Sequence, residues 1–437
     1  MPGPMPLYAT LNEWIAREAQ SFSIDESGAF DAAVARLLTS LGDRVELLGF
    51  GEALHGSEET LILRNRLFQR LAEAHGYSAI AIESSFPRGR IANDYVLGRG
   101  PATFAEIQET GFSHNFGRLD ANRELIEWMR AYNADPAHPT RLHFYGVDSP
   151  SESYSTDSPR QLLLFPLDYL ASLADPRAHQ RRERIETLLG PDAAWENPAA
   201  LMDPSAGIGL SDAANALRLE TEELITALQL RRPELIARGG ADRFLEALHY
   251  ASIARLFLTY HAGLARASDD RLSTLLGIRD AIMADNLAFT VARERGRGRV
   301  LAFAHNQHLQ RTQPIEWQLG PQHLVWWPAG AHLATLLGPR YAAIGSGVGT
   351  SPDNGIGQPE PGTLEALLTA QPGPALFLPT HQGQRLPASA ITALPTRTGS
   401  RKNPGYYPLT PASLTNFDAL AFLHTTTYNR GGPPLPD

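Results

Sequence analysis

The hydrophobic positions of the chain follow two alternating patterns. Short apolar runs rich in β-branched residues recur, and each has the length and composition of a buried strand. These runs are Val45–Phe50, Tyr77–Glu83, Leu142–Val147, Val300–Ala304, Tyr341–Ile344, Ala375–Leu378 and Phe417–Leu423. The segments between them have helical periodicity, most clearly at Glu58–His75, Ala121–Asn133 and Asp280–Arg295. The alternation predicts an α/β fold with a mostly parallel central sheet flanked by helices.

One long interval breaks this alternation. From residue 158 to residue 295 nearly every segment has helical periodicity and no strand-like run occurs. We interpret it as a large all-helical insertion that divides the α/β core into residues 1–157 and 296–437. Ligands of open α/β sheets bind at the carboxyl ends of the strands. The insertion is therefore expected to form a cleft wall or a lid, the alternative being a helical layer that touches no site.

Composition narrows the class of protein. The chain has 437 residues, 43% hydrophobic and 19% charged, which is typical of a soluble globular protein. Its net charge of -9 argues against a nucleic-acid partner and leaves a small-molecule substrate as the expected partner. The first 20 residues lack a basic start followed by an apolar run, and no roughly 18-residue apolar stretch occurs. We therefore expect a cytoplasmic protein that does not bind a membrane.

Absent residues and motifs exclude several chemistries. The chain has no cysteine, which removes disulfides, thiolate nucleophiles and cysteine-based zinc sites. Its single lysine, Lys402, lies in a loop-like segment, which disfavours Schiff-base chemistry. Neither the G-x-S-x-G motif of serine hydrolases nor the H-E-x-x-H, G-x-G-x-x-G and P-loop motifs occur. Any catalysis must come from other side chains.

Polar residues follow four of the predicted strands. In a parallel sheet such strand ends lie along one edge and can converge on one cleft. A neutral histidine is the side chain best suited to accept a proton near pH 7, and a nearby carboxylate orients it. His55 is therefore the candidate general base. The strand-end residues are Glu52, His55, Glu83, Asp148, His305, Asn306 and His308.

Two effects act on the pKa of His55 in opposite directions. The residue lies just before the amino end of the helix predicted at Glu58–His75, where the helix field favours neutral imidazole. The neighbouring carboxylates of Glu52, Glu58 and Glu59 favour imidazolium instead. The sequence therefore leaves the sign of the shift open.

Arg64 lies on the apolar face of the same predicted helix, because its neighbours at i+3, i+4 and i+7 are Leu67, Phe68 and Leu71. A buried arginine stays charged and needs an anionic partner. Glu52 and Glu83 are the candidates. The alternative is that such a pair is purely structural, just as each strand-end histidine taken alone could be a hydrogen-bonded structural residue.

The motifs G-E-A-L-H-G at 51–56, A-I-E at 81–83 and A-H-N-Q-H at 304–308 occur in this order. With the segments around them, they resemble the erythromycin esterase family over most of the chain, from around residue 45 to residue 427. The resemblance implies an α/β fold with a helical insertion and a deep cleft. It also implies hydrolysis of the lactone of macrolide antibiotics, an antibiotic-resistance activity, or a related natural-product reaction.

Carried over by position, the resemblance implies that His55 is the general base. Because no serine or cysteine nucleophile motif accompanies this set of acids, histidines and arginine, we expect His55 to activate a water that attacks the ester directly, without a covalent intermediate. The resemblance places Glu52, Glu83, Arg64 and His305 beside it as catalytic residues. We further assign a set of neighbouring residues to substrate binding: His308, Asn306, Arg88, Phe116 and Asp148. The sequence departs from the family pattern at two places that bear on the substrate. Leu54 stands where the family usually has a small polar residue, and segment 111–125 lacks a tryptophan that is common in macrolide-inactivating members.

Two other reactions remain open from the sequence. Glu52, His55, Glu83 and His305 are acceptable ligands for zinc or manganese, so a metal-dependent hydrolase is one alternative, although Arg64 would repel the cation. The other is a non-hydrolytic biosynthetic enzyme that uses the same base for elimination or cyclisation. Our expectation is an esterase without a metal or other cofactor.

Overall fold

The computed structural model describes residues 8–151 and 156–435. Their strands are β1 Gln20–Phe22, β2 Leu47–Glu52, β3 Tyr77–Ser85, β4 His143–Asp148, β5 Arg299–His305, β6 Ile315–Leu319, β7 Gln322–Trp326, β8 Tyr341–Thr350, β9 Ala375–Pro379 and β10 Ala419–Thr425. Eight of them form one sheet in the order β1-β9-β10-β8-β2-β5-β3-β4, and β6 and β7 form a hairpin.

The helices of these residues surround the sheet. They are α1 Leu11–Glu18, α2 Ser27–Leu41, α3 Glu58–Ala74, α4 Phe86–Val96, α5 Phe104–Ile107, α6 Asp120–Ala134, α7 Arg160–Ser172, α8 Ala178–Leu189, α9 Asp212–Leu230, α10 Arg232–Gly239, α11 Ala241–Leu264, α12 Arg271–Glu294, α13 Asn306–Leu309, α14 Ala329–Leu337, α15 Leu364–Thr369, α16 Ala388–Thr392 and α17 Ser413–Asn416. None in the described ranges has the length and apolarity that crossing a membrane requires.

The α/β fold with a mostly parallel sheet is confirmed. The strands from β10 to β4 are parallel to one another, while β9 runs antiparallel to β10. β2 and β3 are buried at every position, because helices cover both faces of the sheet. Their sequences are therefore continuous apolar runs and do not alternate between apolar and polar residues. Each of the predicted runs forms a strand that begins within two residues of its predicted start.

The sequence did not predict β1 or the β6–β7 hairpin. β1 has only three residues, too few to show a period, and it joins the sheet edge by pairing with β9. In β6 and β7 most positions are exposed, so apolar and polar residues do not alternate as they would on a half-buried sheet.

Between Arg160 and Glu294 all regular structure is helical. α12 begins at Arg271, although periodicity predicted its start at Asp280. The additional turns carry its first half to the carboxyl ends of the strands. The division into residues 1–157, 158–295 and 296–437, and a lid role for the insertion, stay predictions. The expectation about the first 20 residues falls in part on residues 1–7, outside the described residues.

Helix α4 covers the outer side of the edge strand β4 at very short range. A Cβ added to Gly89 would lie 2.2 Å from the backbone nitrogen of Gly146 and 2.7 Å from its Cα. The backbone amide of Phe144 donates to Asn93 Oδ1 at 3.0 Å, which satisfies a group that an edge strand leaves unpaired. The helix can approach this closely only because position 89 is glycine.

Replacing Gly89 by alanine should therefore destabilise the protein by about 3 kcal/mol, because the clash is with backbone and cannot be relieved by a rotamer change. Thermal unfolding followed by circular dichroism measures the effect. The matched control is Gly28→Ala on α2, where nothing lies within 4 Å of an added Cβ. Equal melting temperatures for the two variants would contradict the close contact.

Candidate active site

Four strand ends lie side by side at the carboxyl edge of the sheet. Glu52, the last residue of β2, is in register with His305, the last residue of β5. β3 is the next strand after β5 and carries Glu83, and β4 follows with Asp148 as its last residue. The structure thus brings together the strand-end residues that the sequence predicted to converge.

His55 is held by Glu52 across the turn that follows β2. Its Nδ1 lies 2.6 Å from Glu52 Oε1, and because a carboxylate only accepts, Nδ1 carries the proton and donates. Its Nε2 lies 4.0 Å from Glu83 Oε1, a gap that a water can bridge. Gly56 follows with φ of +105°, a conformation that favours glycine. The His55 side chain is 46% exposed, so one side of the ring reaches solvent.

The carboxylates decide the pKa of His55. Burial lowers the pKa, but Glu52 and then Glu83 outweigh it and raise the pKa to about 9. The sign that the sequence left open is therefore upward. At neutral pH the ring is mostly imidazolium, and the fraction able to accept a proton increases as the pH rises towards 9.

Glu83 joins three elements. Its Oε2 accepts the backbone N–H of His305 at 2.7 Å, and its Oε1 accepts from Arg279 Nη2 at 3.0 Å. His308 Nε2 lies 3.3 Å from the same Oε1. Burial alone would raise the pKa of this carboxyl, but His308, His55 and Arg279 hold it well below its ordinary value. Glu83 is therefore a permanent carboxylate.

Arg279 on α12 is a site residue that the sequence interpretation missed. It donates to both oxygens of Asp148, from Nε at 2.9 Å and from Nη2 at 2.6 Å, and it also bonds Glu83. Asp148 and Glu83 raise the pKa of Arg279 against the effect of burial, which lowers it. A signal was present, because its neighbours at i+3 and i+4, Ile282 and Met283, are apolar and buried. Arg279 thus meets two of the three conditions that singled out Arg64, since its neighbour at i+7 is Asn286.

Asp280, the next residue, was also missed. Its Oδ1 lies 2.7 Å from His308 Nδ1, and its Oδ2 accepts from the indole of Trp326 at 2.8 Å. Burial lowers the pKa of His308, but Asp280 and Glu83 raise it to about 10. His308 is thus an imidazolium with a carboxylate at each nitrogen.

His305 has the opposite charge state although it lies only three residues away. Its Nε2 donates to the carbonyl of Gly405 at 2.8 Å, and its Nδ1 accepts from the amide of Gln307 at 3.3 Å. Burial, followed by repulsion from His55, lowers its pKa to about 3. The ring is therefore neutral with both nitrogens engaged, and its centroid lies 5.2 Å from that of His55.

Arg64 is buried, with 1% of its surface exposed. Its Nε and Nη2 donate to Asn65 Oδ1 at 3.1 and 2.7 Å, and the guanidinium lies 4.8 Å from the ring centroid of Phe303. Among the described residues no carboxylate oxygen lies within 4.0 Å of it, so the expected direct pairing with Glu52 or Glu83 is wrong. Burial lowers the pKa of Arg64 to about 10, against the more distant carboxylates.

A small hollow lies between these groups. Glu52, His55, Arg64 and Glu83 line it, together with Phe116, whose ring centroid is 6.0 Å from that of His55. Its volume is about 20 Å³, and a single water needs roughly 10–15 Å³. The hollow therefore has room for one water beside the imidazole.

Four of the five predicted substrate-binding residues do not line this hollow: His308, Asn306, Arg88 and Asp148. Asn306 is fully buried and its amide bonds the backbone of Ser346 from both ends, at 2.8 and 2.9 Å. Arg88 donates to the carbonyl of Phe112 and to Asp157 Oδ1. Asp148 reaches the site only through Arg279. Within residues 8–151 and 156–435, no three histidine or carboxylate side chains are grouped as ligands of a metal ion.

A family comparison relates most of the chain to a known group, over a range that begins after Glu52, His55 and Arg64. The sequence pattern described as erythromycin esterase matches residues 72–426, most of the chain. The chain belongs to the erythromycin esterase family. It is therefore a hydrolase of the erythromycin esterase type, as the order of its motifs implied.

Individual members of the erythromycin esterase family are distant. The erythromycin esterase type II of Escherichia coli is 25% identical over 343 residues, 76% of each chain. The type I enzyme of Escherichia coli is 22% identical over 314 residues, 70% of this chain and 71% of that one. These identities support an esterase without fixing its substrate.

Solved structures share the fold. A Bacillus cereus protein has a TM-score of 0.73 at 19% identity, covering 97% of this chain and 98% of its own. A succinoglycan biosynthesis protein has a TM-score of 0.71 at 19% identity, with 96% and 98% covered. An erythromycin esterase mutant in its open conformation has a TM-score of 0.61 at 18% identity, with 93% and 95% covered.

Arg279→Gln should destabilise the protein by about 3–5 kcal/mol, because it leaves Glu83 and Asp148 buried without their shared cation. Chemical denaturation at pH 7 measures the loss. Arg66→Gln, the same change at an exposed position of α3, is the matched control and should leave stability unchanged. A loss below about 1 kcal/mol for Arg279→Gln would show that the network contributes little.

Proposed function

We propose that the protein hydrolyses an ester or lactone by direct attack of a water that His55 activates. One observation carries the proposal: His55 lines a hollow of about 20 Å³, while its Nδ1 is bonded to Glu52, which leaves Nε2 as the nitrogen that can accept a proton. Neutral imidazole accepts a proton at Nε2 from the water as the oxygen attacks the carbonyl carbon. Glu52 then stabilises the imidazolium that forms.

Arg64 is the group we assign to the developing oxyanion. It lines the same hollow, and its charge is not cancelled by a direct ion pair within the described residues. A buried cation without a carboxylate partner is stabilised when negative charge appears on the carbonyl oxygen in the transition state. Phe116 forms part of the wall against which an apolar acyl or ring carbon packs.

We assign a supporting role to the remaining charges. His308 carries its positive charge next to Glu83, so the pair adds little net field at the hollow. Arg279 fixes Glu83 and Asp148 to helix α12. The imidazolium formed at His55 returns its proton to the leaving alkoxide, and the products are a carboxylic acid and an alcohol. Water supplies every added atom, so no covalent intermediate is required.

For the substrate, we propose a lactone or ester of a natural product, with macrolides as the first candidates. Two Escherichia coli relatives are named erythromycin esterases, which supports this order of testing. The proposal includes neither metal nor other cofactor, and neither nucleic acid nor membrane as partner. We further propose a cytoplasmic location.

Incubating the protein with erythromycin and a panel of simple lactones should yield a product heavier by one water, measured by mass spectrometry. His55→Ala should lower the rate by about 10²–10⁴-fold while leaving the fold intact. His179→Ala, at a side chain that is 83% exposed, is the control and should retain full activity. Turnover by His55→Ala close to that of the wild type would remove His55 as the base.

The same assay separates the two alternatives. Activity that disappears in a chelator and returns with one added metal would establish a metal-dependent hydrolase instead. Conversion of a compound without mass gain would indicate elimination or cyclisation. Retained activity after dialysis against a chelator, with the gain of one water, supports the proposed route.

The pH profile of kcat/KM tests the coupling between His55 and Glu52. Because the base must be neutral, kcat/KM should rise about tenfold per pH unit and level off near the His55 pKa of about 9. Glu52→Gln removes the carboxylate that raises this pKa. The rising part of the kcat/KM profile should therefore move to lower pH, and the maximum value of kcat/KM should fall. An unshifted rising part in Glu52→Gln would assign the titration to another group.

A further inference from the structure

A second cavity lies away from the candidate active site, against the outer side of the edge strand β4. Helix α4 and the insertion helices α7, α11 and α12 form its other walls. Its volume is about 510 Å³, which falls within the roughly 300–1,000 Å³ of small-molecule sites. None of the residues assigned to the esterase site lines it.

The cavity walls carry a group of aromatic side chains. Phe165 and Tyr250 stack with centroids 3.9 Å apart and planes 19° apart, and Phe86 lies 5.1 Å from Tyr250. Phe289, on the α12 wall, and Tyr145, on β4, add two more rings. Such walls favour a planar ring as the occupant, because offset stacking and edge contacts both become available to it.

The charges on the cavity wall do not cancel. Arg90 and Arg293 both contact Glu246, each at 3.2 Å, so two cations share one carboxylate. Arg243 donates to Ser172 Oγ at 2.8 Å, and no carboxylate oxygen of the described residues lies within 4.0 Å of its guanidinium. These contacts leave a local excess of positive charge.

The other two carboxylates of the wall do not offset that excess. Asp94 pairs with Arg99 at 3.4 Å, and Asp168 pairs with Arg182. The lining itself has four arginines and three carboxylates, a net of one positive charge, and Arg182, which pairs with Asp168 from outside the lining, adds a second. On a protein whose net charge is -9, a pocket of this sign selects an anion.

The hydroxyl of Tyr250 provides an independent sign of a ligand. Tyr250 is only 2% exposed and lines the cavity, and its hydroxyl has no hydrogen-bond partner among the described residues. The oxygen is not one of the fully enclosed unpaired atoms of these residues, so it is open to the cavity. A ligand acceptor within the cavity would satisfy it.

We propose that this cavity binds an aromatic anion, a planar ring system that carries a carboxylate or a phosphate. The ring packs among Phe86, Phe165 and Phe289. The anionic group bonds Arg243, and the Tyr250 hydroxyl donates to it or to a ring acceptor. A cationic ligand is disfavoured because every wall carboxylate is already paired with arginine.

The test uses the full chain and the fluorescent aromatic sulfonate 1-anilinonaphthalene-8-sulfonate as probe. Titration should give one saturable site whose fluorescence rises on binding. Arg243→Gln should raise its Kd about tenfold, and Tyr250→Phe about threefold. Arg66→Gln, the same loss of charge on α3, should leave the Kd unchanged, and thermal unfolding confirms that each variant is folded.

Two further arms identify the anion and separate this site from the esterase. Competition by 2-naphthoate indicates a carboxylate ligand, and competition by adenosine monophosphate indicates a phosphate ligand. The neutral analogue N-phenyl-1-naphthylamine should bind wild type and Arg243→Gln alike. His55→Ala should bind the probe as the wild type does, so failure of the esterase proposal leaves this one standing.

Unchanged probe affinity in both Arg243→Gln and Tyr250→Phe overturns the proposal, whatever the catalytic result. The proposal is also overturned if neither 2-naphthoate nor adenosine monophosphate displaces the probe, because the probe would then be bound through its apolar rings and not through its anionic group. Loss of affinity in His55→Ala but not in Arg243→Gln would place the probe in the esterase site and would equally reject the cavity.

Discussion

A buried carboxylate at position 83 is the constraint on which the site depends. An unpaired charge costs several kcal/mol to bury, so Glu83 requires donors on every side. It obtains them from the backbone of His305, from Arg279 and from His308, which belong to β5, α12 and α13. These contacts fix the insertion to the sheet through the same network that surrounds the candidate base.

Two histidines of one short motif, His305 and His308, have opposite charge states because their contacts differ. His308 has a carboxylate at each nitrogen, whereas His305 meets a carbonyl and an amide. Ionic partners hold the first as imidazolium, and burial without a carboxylate contact keeps the second neutral. His55 lies between these limits, because it has one close carboxylate and one that is 4.0 Å away. This intermediate state, with one nitrogen bonded and the ring partly exposed, suits His55 to the role of the proposed base.

Much of the site was predictable because parallel strands present their carboxyl ends along one edge. That rule needs only the strand positions, so it placed Glu52, Glu83 and His305 together. The pairing of Arg64 was not predictable in the same way, since a helical face fixes the direction of a side chain but not its distance from a carboxylate. Arg279 had part of the same apolar-face signal, but nothing in the sequence placed the start of α12 beside β4.

The second cavity follows from the way the sheet ends. β4 has no strand on its outer side, so its backbone must be covered by other elements. Helix α4 covers it closely where Gly89 meets Gly146. Helix α12 reaches β4, because Asn286 Nδ2 donates to the carbonyl of Val147 at 2.9 Å and the Tyr145 hydroxyl donates to Glu294 at 2.7 Å. The cavity remains where α4, α7 and α11 face β4 beside this contact. α12 borders both regions: its first half supplies Arg279 to the strand ends, and its second half supplies Arg293 to the cavity. The edge of the sheet therefore determines where the second cavity lies.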